Sequence, residues 1–206
     1  YTNIDKFPVK NTNFYRSFAI FSGLPDGYAE SDTQPTENAF AALAWMAKCF
    51  GYEPGSETWA YKELAGIVPS GLSKDNKNKL AEKNASAFLR YAGANITTGG
   101  KTLAGEWIDV IRFRDWLKNE LQVSIYNVLK VNRKVPYTDN GISLIEGAME
   151  SVLKKAQDIG GVSNTEYSAD GAEIPGFTVN VPKASSLDEA ARKSRKLGSC
   201  EWTARL

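Results

Sequence analysis

The sequence predicts an α/β fold of the α+β type, in which long amphipathic helices pack on a mixed β-sheet and a β-hairpin is added. Three observations lead to this prediction. Two long segments, 106–130 and 138–159, carry apolar residues at helical spacing. Residues 14–22 are apolar on both alternating faces, as in a buried strand, and residues 176–182 alternate apolar with polar side chains.

The first third of the chain predicts a strand followed by a helix. The segment "FYRSFAIFS", residues 14–22, stops at Gly23 and is interpreted as a central strand buried on both sides. Residues 36–50 predict a helix, with Thr36 as its N-cap and Gly51 just beyond its end. The stripe predicted to face the core consists of Phe40, Leu43, Ala44 and Ala47.

A hairpin is predicted in the middle of the chain. Prolines and glycines break residues 54–72, so this segment holds only short extended pieces. Ser73 then caps a polar, lysine-rich helix. Residues 86–96 and the "LAGEW" segment (103–107) are interpreted as two arms around the glycine-bearing turn "TTGGKT" (97–102).

Two amphipathic helices follow. The first runs from Glu106 to about Lys130, with a stripe formed by Val110, Phe113, Leu117, Leu121, Ile125, Val128 and Leu129. Thr138 caps the second, which closes at Gly160 and Gly161. Its stripe is formed by Ile142, Ile145, Met149, Val152, Ala156 and Ile159.

The last part of the chain is predicted to contain a loop, two strands and a short helix. Residues 160–175 have no apolar period and are interpreted as a surface loop before the strand at 176–182. Ser186 and Glu189 form a capping box for a helix that stops at Gly198, and "CEWTARL" (200–206) alternates as a strand. The length fits one domain, residues 1–206.

Composition excludes several functional classes. Lys and Arg number 25 against 24 Asp and Glu, and this balance argues against nucleic acid as a partner. No apolar run approaches bilayer length, so no membrane is expected. The absence of histidine removes Ser-His and Cys-His nucleophile pairs and histidine metal sites. Cys49 and Cys200 are interpreted as buried free thiols.

The "GGKT" string raises the question of a phosphate-binding loop, which the spacing of its residues answers. Such a loop needs a glycine five residues before the one that precedes the lysine, and that position holds Asn95. The lysine-threonine pair also fails to open a helix, because residues 103–105 intervene. We therefore expect a turn, no nucleotide cofactor and no metal.

Charged residues offer candidate sites with two interpretations each. Glu106 and Asp109, with Arg112, Arg114 and Asp115, could form an acid–base pair with cationic helpers, or a solvated or salt-bridged helix face. Exposure of Trp107 or Trp116 beside them would favour an interface. The basic cluster "RKSRK" (192–196) suits a helix C-terminus and could also dock on an acidic partner.

The strings "GEWIDVIRFRDWL" (105–117) and "KVPYTDNGI" (134–142) are long and unusual in composition, and "FTVNVPKASSLDEAARKSRKL" (177–197) and "EWTARL" (201–206) follow them. These strings resemble the contractile tail sheath proteins of long-tailed bacteriophages. The similarity runs in order from about Pro54 to the end of the chain.

The resemblance implies a structural sheath core domain that polymerises around a tail tube and contracts to drive genome delivery. It implies neighbouring sheath subunits and the tail tube protein as partners, no catalytic residues, and a place in the virion tail after assembly in the host bacterial cytoplasm. Without terminal arms, this fragment is expected to be monomeric. The candidate assembly interface comprises Arg112, Arg114, Asp115, Lys193, Arg195 and Lys196.

Two other classes of function stay open at this stage. A carboxylate-based hydrolase would need two carboxyl groups facing each other across a groove. A small binding module would need an aromatic pocket.

Overall fold

The computed structural model describes residues 4–5, 12–25, 27–29 and 32–206. The chain forms two compact units, Tyr1–Arg112 and Phe113–Leu206. The described residues contain five α-helices and seven short strands in three small sheets, so the α+β class is confirmed. The single domain predicted from length stays a prediction.

A three-stranded mixed sheet organises the first unit. Strands β1 (Ile20–Phe21), β2 (Ser86–Tyr91) and β3 (Ala94–Thr98) lie in the order β1-β2-β3. β1 is parallel to β2, with Ile20 opposite Ser86, and β2 is antiparallel to β3. Within the described part of the chain β1 therefore lies at the edge of the sheet, not at its centre. It is shorter than predicted, and residues 14–17 are exposed.

Both faces of this sheet are buried, because successive side chains of a strand point to opposite faces. On one face, Phe21, Ala87 and Leu89 pack with Leu80 and Leu103. On the other face, the core is formed by Ile20, Phe88, Trp45, Cys49, Trp59, Leu64 and Ile108. The burial on both sides that is predicted for residues 14–22 holds for residues 19–22 only.

Helix α1 (Ala41–Phe50), which follows a 3-10 turn at Thr36–Phe40, buries a different stripe from the predicted one. Its buried residues are Ala41, Trp45 and Cys49. The helix is apolar almost all round, so periodicity does not select a face. The packing of Trp45 selects the buried face. Its indole lies edge-on to the rings of Phe18 and Trp59, and its Nε1 donates to the Trp59 carbonyl at 2.8 Å.

Helix α2 (Lys74–Glu82) begins as predicted, since the Ser73 hydroxyl accepts a hydrogen bond from the backbone N–H of Asn76 at 3.3 Å. The hairpin turn is elsewhere than predicted. β2 and β3 are joined by Ala92 and Gly93, whose φ angles of 48° and 88° suit the tight two-residue turns of hairpins. The "GGKT" residues follow β3 and lead to the next helix.

Two long helices dominate the second unit. Helix α3 (Ile108–Val131) begins in the first unit and continues in the second, and helix α4 is Asp139–Asp158. The Thr138 hydroxyl caps α4 by accepting from the Gly141 N–H at 3.3 Å, as predicted. The shared core is formed by Phe113, Leu117, Leu121, Ile145, Met149, Val152, Leu153, Ala156 and Val162.

A two-stranded sheet covers this helical core. β6 (Phe177–Asn180) and β7 (Glu201–Ala204) are antiparallel, and Phe177, Val179 and Ala204 pack against the core. The segment predicted as a surface loop carries an exposed hairpin of β4 (Glu166–Tyr167) and β5 (Glu173–Ile174).

Helix α5 (Glu189–Ser194) has a different cap from the predicted one. The Asp188 carboxylate, not the Ser186 hydroxyl, accepts from the Ala191 N–H, at 2.6 Å. The helix ends at Arg195, whose φ is 54°, before the predicted stop at Gly198. A carboxylate is a strong cap next to the positive end of a helix dipole, which explains why Asp188 is preferred.

Two glycines of α4 provide a matched test of this packing. A Cβ at Gly141 would collide with the Pro136 carbonyl oxygen, whereas a Cβ at Gly147 would meet nothing within 4 Å. We expect Gly141→Ala to lower the free energy of unfolding by about 1–3 kcal/mol. Gly147→Ala should raise it by about 0.5–1 kcal/mol, because alanine favours a helix interior. Urea denaturation of both variants checks this, and equal effects would contradict the close approach of residues 136 and 141.

Candidate functional site

Arg112, a predicted interface residue, is bonded within the first unit. Its guanidinium donates to the carbonyl oxygens of Cys49 at 3.0 Å and Tyr52 at 2.6 Å, and it forms an ion pair with Glu57. The Cys49 carbonyl belongs to the last turn of α1, where helix carbonyls have no intrahelical partner. Arg112 therefore closes the C-terminal end of α1 from the first turns of α3.

Glu57 is the buried partner of Arg112. Its side chain has no exposed area, and the Arg112 side chain is 19% exposed. The second carboxylate oxygen of Glu57 accepts from the Gly55 N–H at 3.1 Å. Sequence reasoning missed Glu57, since it lies in an aperiodic segment and its partner is 55 residues away.

Asp109 and Glu106, considered above as an acid–base pair, lie in different environments. Glu106 is exposed, whereas Oδ1 of Asp109 is shielded from solvent and has no hydrogen-bond partner. Burial raises the pKa of Asp109 above its ordinary value. Hydrogen bonds from the backbone N–H groups of Val110 and Asp109 lower this pKa, and the nearby Glu57 carboxylate raises it further. Burial therefore prevails over the helix dipole, which favours the charged form at the start of α3.

The remaining candidate residues lie in the second unit. Arg114 is exposed and Asp115 is half-buried on α3. Lys193, Arg195 and Lys196 are exposed together at the end of α5. Lys193 forms an exposed ion pair with Glu189 at 2.8 Å, a kind of contact that contributes little stability. These three cations make up what we call the basic surface.

Arg195 also lines an apolar groove of the second unit, with a volume of about 280 Å³. The groove is formed by side chains from α3, α4 and the segments next to them: Ile125, Leu129, Val135, Pro136, Tyr137, Ile142, Ile145, Leu197 and Cys200.

Trp107, whose exposure bears on the choice between a solvated face and an interface, is 49% exposed. The Lys101 ammonium of the "GGKT" string lies over its ring, 4.7 Å from the centroid. The exposed tryptophan favours an interface on this side of the first unit.

The two thiols and the potential metal ligands add further constraints. Burial raises the pKa of Cys49 to about 11, against the lowering effect of Lys62. Cys49 is buried and Cys200 is half-buried, and both are free.

Across the described ranges, no helix is long and apolar enough to cross a bilayer. Within the same ranges, His, Cys, Asp and Glu side chains form no group of three or more that could hold a metal ion.

Comparison with protein families gives a match that begins where α3 begins. Residues 108–202 match the family described as E217 tail sheath protein gp31-like, C-terminal domain. The resemblance to tail sheath proteins is confirmed. The matched segment includes nearly the whole second unit, Phe113–Leu206. No curated protein is similar enough in sequence to count as a match.

Solved structures share the fold. A chain in the cryo-EM structure of the anti-feeding prophage (AFP) baseplate, 6-fold symmetrised, has a TM-score of 0.62 at 13% identity and covers 91% of this chain. A chain of the AFP helical sheath in its contracted state has a TM-score of 0.60 at 12% identity, also over 91% of this chain. This chain spans about half of their lengths, 50% and 51% respectively.

The role of Arg112 in the fold can be measured. Arg112→Ala leaves the Glu57 carboxylate buried without its partner, so we expect the free energy of unfolding to fall by about 3–5 kcal/mol. Arg114→Ala removes an exposed arginine of the same helix and should change it by less than about 0.5 kcal/mol. Chemical denaturation of both variants checks this. Similar small losses in the two variants would show that the pair does not support the fold.

Asp109 predicts a dependence of stability on pH. Because its pKa is raised in the folded state, that state holds the proton more tightly than the unfolded chain, and stability falls as the pH rises from the ordinary aspartate pKa through the raised one. Asp109→Asn should therefore be more stable than wild type at neutral pH. The gain should vanish below about pH 3.9, where both states are protonated.

A matched control is Asp75→Asn, since Asp75 is an exposed aspartate in the first turn of α2. This change should lower the free energy of unfolding by about 0.3–1 kcal/mol through loss of the helix-dipole interaction. Thermal unfolding of both variants across pH checks the pair. A loss of stability at neutral pH in Asp109→Asn would contradict the dominance of burial.

Proposed function

We propose that this chain is part of the structural subunit of a contractile phage tail sheath, which polymerises around a tail tube and contracts to drive genome delivery. The observation that carries the proposal is the family match over residues 108–202, which includes nearly all of the second unit. The shared fold with an AFP sheath chain over 91% of this chain supports it. The subunit belongs to the virion tail and is assembled in the host bacterial cytoplasm.

Packing within each unit supports a mechanical role. In the first unit, the sheet is buried on both faces, and Arg112 at the start of α3 bonds to the last turn of α1 and to Glu57. In the second, α3 and α4 share a core that β6 and β7 cover. Close-packed cores of this kind transmit strain without internal rearrangement, as subunits that move as rigid bodies require.

The proposed function is not enzymatic. The sequence has no histidine, and Oδ1 of Asp109, the one residue of the Glu106–Asp109 pair with a raised pKa, has no hydrogen-bond partner. Glu57, the nearby acid, is already engaged with Arg112 and Gly55. Its buried carboxylate is therefore engaged in the fold and is not available as the second acid that glycoside hydrolysis needs.

We assign the basic surface, together with Arg114 and Asp115, to contacts with neighbouring sheath subunits or the tail tube protein. Charges at such contacts fix the register of the partners and can be paired again after the partners move. The guanidinium of Arg112 bonds to Cys49, Tyr52 and Glu57 within the first unit. Arg112 therefore supports the proposed interface indirectly, by holding α1 and α3 in place, and not by contacting a partner.

Charge reversal separates assembly from folding. In the full-length protein, Lys193→Glu with Arg195→Glu should abolish assemblies that sediment, while the melting temperature stays nearly unchanged, because both side chains are exposed. The matched control is Lys74→Glu with Lys79→Glu on α2, two exposed lysines whose reversal changes net charge equally. Sedimentation and calorimetry check both. Normal assembly of the first variant, or a large loss of its melting temperature, would refute this assignment.

A further inference from the structure

Helix α1 has a second apolar face, which points to solvent. Phe40, Leu43, Ala47 and Phe50 recur at helical spacing, and the three large side chains are 59%, 62% and 54% exposed. Lys48 is the only charged residue of the helix. A helix that is apolar on all sides is normally buried on all sides. The exposed face, which we call the α1 face, therefore has the character of a contact surface.

The groove beside Arg195 has the complementary character. Its walls are mainly aliphatic and aromatic, and its volume is about 280 Å³. An apolar cavity of about 150 Å³ is enough to hold benzene. The groove therefore has room for about one aromatic ring and one aliphatic side chain, which is what the α1 face presents.

The two surfaces carry opposite charges. Glu37 and Phe40 lie three residues apart in the 3-10 turn before α1, so they share one side of it. Glu37 is exposed, which places a carboxylate at one end of the α1 face. Arg195 lines the groove. Lys48, the cation of α1, lies with Glu63 along a separate polar depression of the first unit.

We propose that the α1 face of one copy of this chain docks in the Arg195 groove of a second copy, with Glu37 of the first copy beside Arg195 of the second. This contact rests on the proposed sheath function and specifies one of its subunit interfaces. Because the two surfaces differ, each copy can give its α1 face to one neighbour and its groove to another. Such head-to-tail contacts repeat along rings or open helical arrays.

A disulfide scan tests the contact, since the groove already contains Cys200. Phe40→Cys, Leu43→Cys and Ala47→Cys are made singly in the full-length protein, with Asn78→Cys on the exposed side of α2 as control. Equal amounts of isotopically light and heavy protein are mixed, assembled and oxidised mildly, and the cross-linked peptides are read by mass spectrometry. Cys49 is buried, so it takes no part.

The expected result is a disulfide between light and heavy copies that joins Cys200 to at least one α1 position, at about tenfold the yield of the control, because a specific contact raises the effective concentration of the thiols. Disulfides that join the same α1 position in two copies would instead show that the face pairs with itself. Yields equal to the control at all three positions would show that another partner or another part of a longer chain covers the face. Either outcome overturns the proposal.

Electron microscopy of the same samples distinguishes failure of this contact from failure of the sheath function. Tubes without the Cys200 disulfide mean that the protein is a sheath subunit and the contact is wrong. The Cys200 disulfide without tubes means that the contact exists and the sheath function is wrong. A variant whose melting temperature falls is replaced by another position on the same face, so that one damaged variant does not decide the test.

Discussion

The ion pair between Arg112 and Glu57 is the interaction on which the first unit depends. Together with the bonds of Arg112 to the Cys49 and Tyr52 carbonyls, it joins the start of α3, the last turn of α1 and the aperiodic segment that follows α1. A buried pair contributes little net stability compared with apolar side chains of the same size, but loss of one member is costly. Its value is therefore geometric: it fixes where α1 ends and where α3 begins.

Apolar packing plays the corresponding part in the second unit. α4 ends at Asp158, and just beyond it the N–H groups of Gly161 and Val162 both donate to the Ala156 carbonyl, at 3.0 and 3.1 Å. The chain then passes so close to the Phe113 ring that Gly161 has no room for a side chain. The same helix end therefore closes the core and directs the chain towards β6. This segment lies within the matched tail sheath domain.

Sequence reasoning succeeded where local signals agreed and failed where they competed. For α4, a threonine cap, a regular apolar stripe and two closing glycines all indicate the same helix, and the structure has it. In α1 the composition is apolar on every side, so only the packing of Trp45 decides which face is buried. The hairpin was misplaced because two glycine-bearing turns, at 92–93 and 99–100, lie close together. The Arg112–Glu57 pair depends on tertiary structure, which no local pattern encodes.

Cryo-electron microscopy of the full-length protein under assembling conditions tests the sheath account most directly. The account predicts hollow tubes with helical order, in whose density the fold of each unit fits without internal rearrangement. Particles that stay monomeric at every protein concentration and ionic strength tried, or a closed assembly with no central channel, would contradict it.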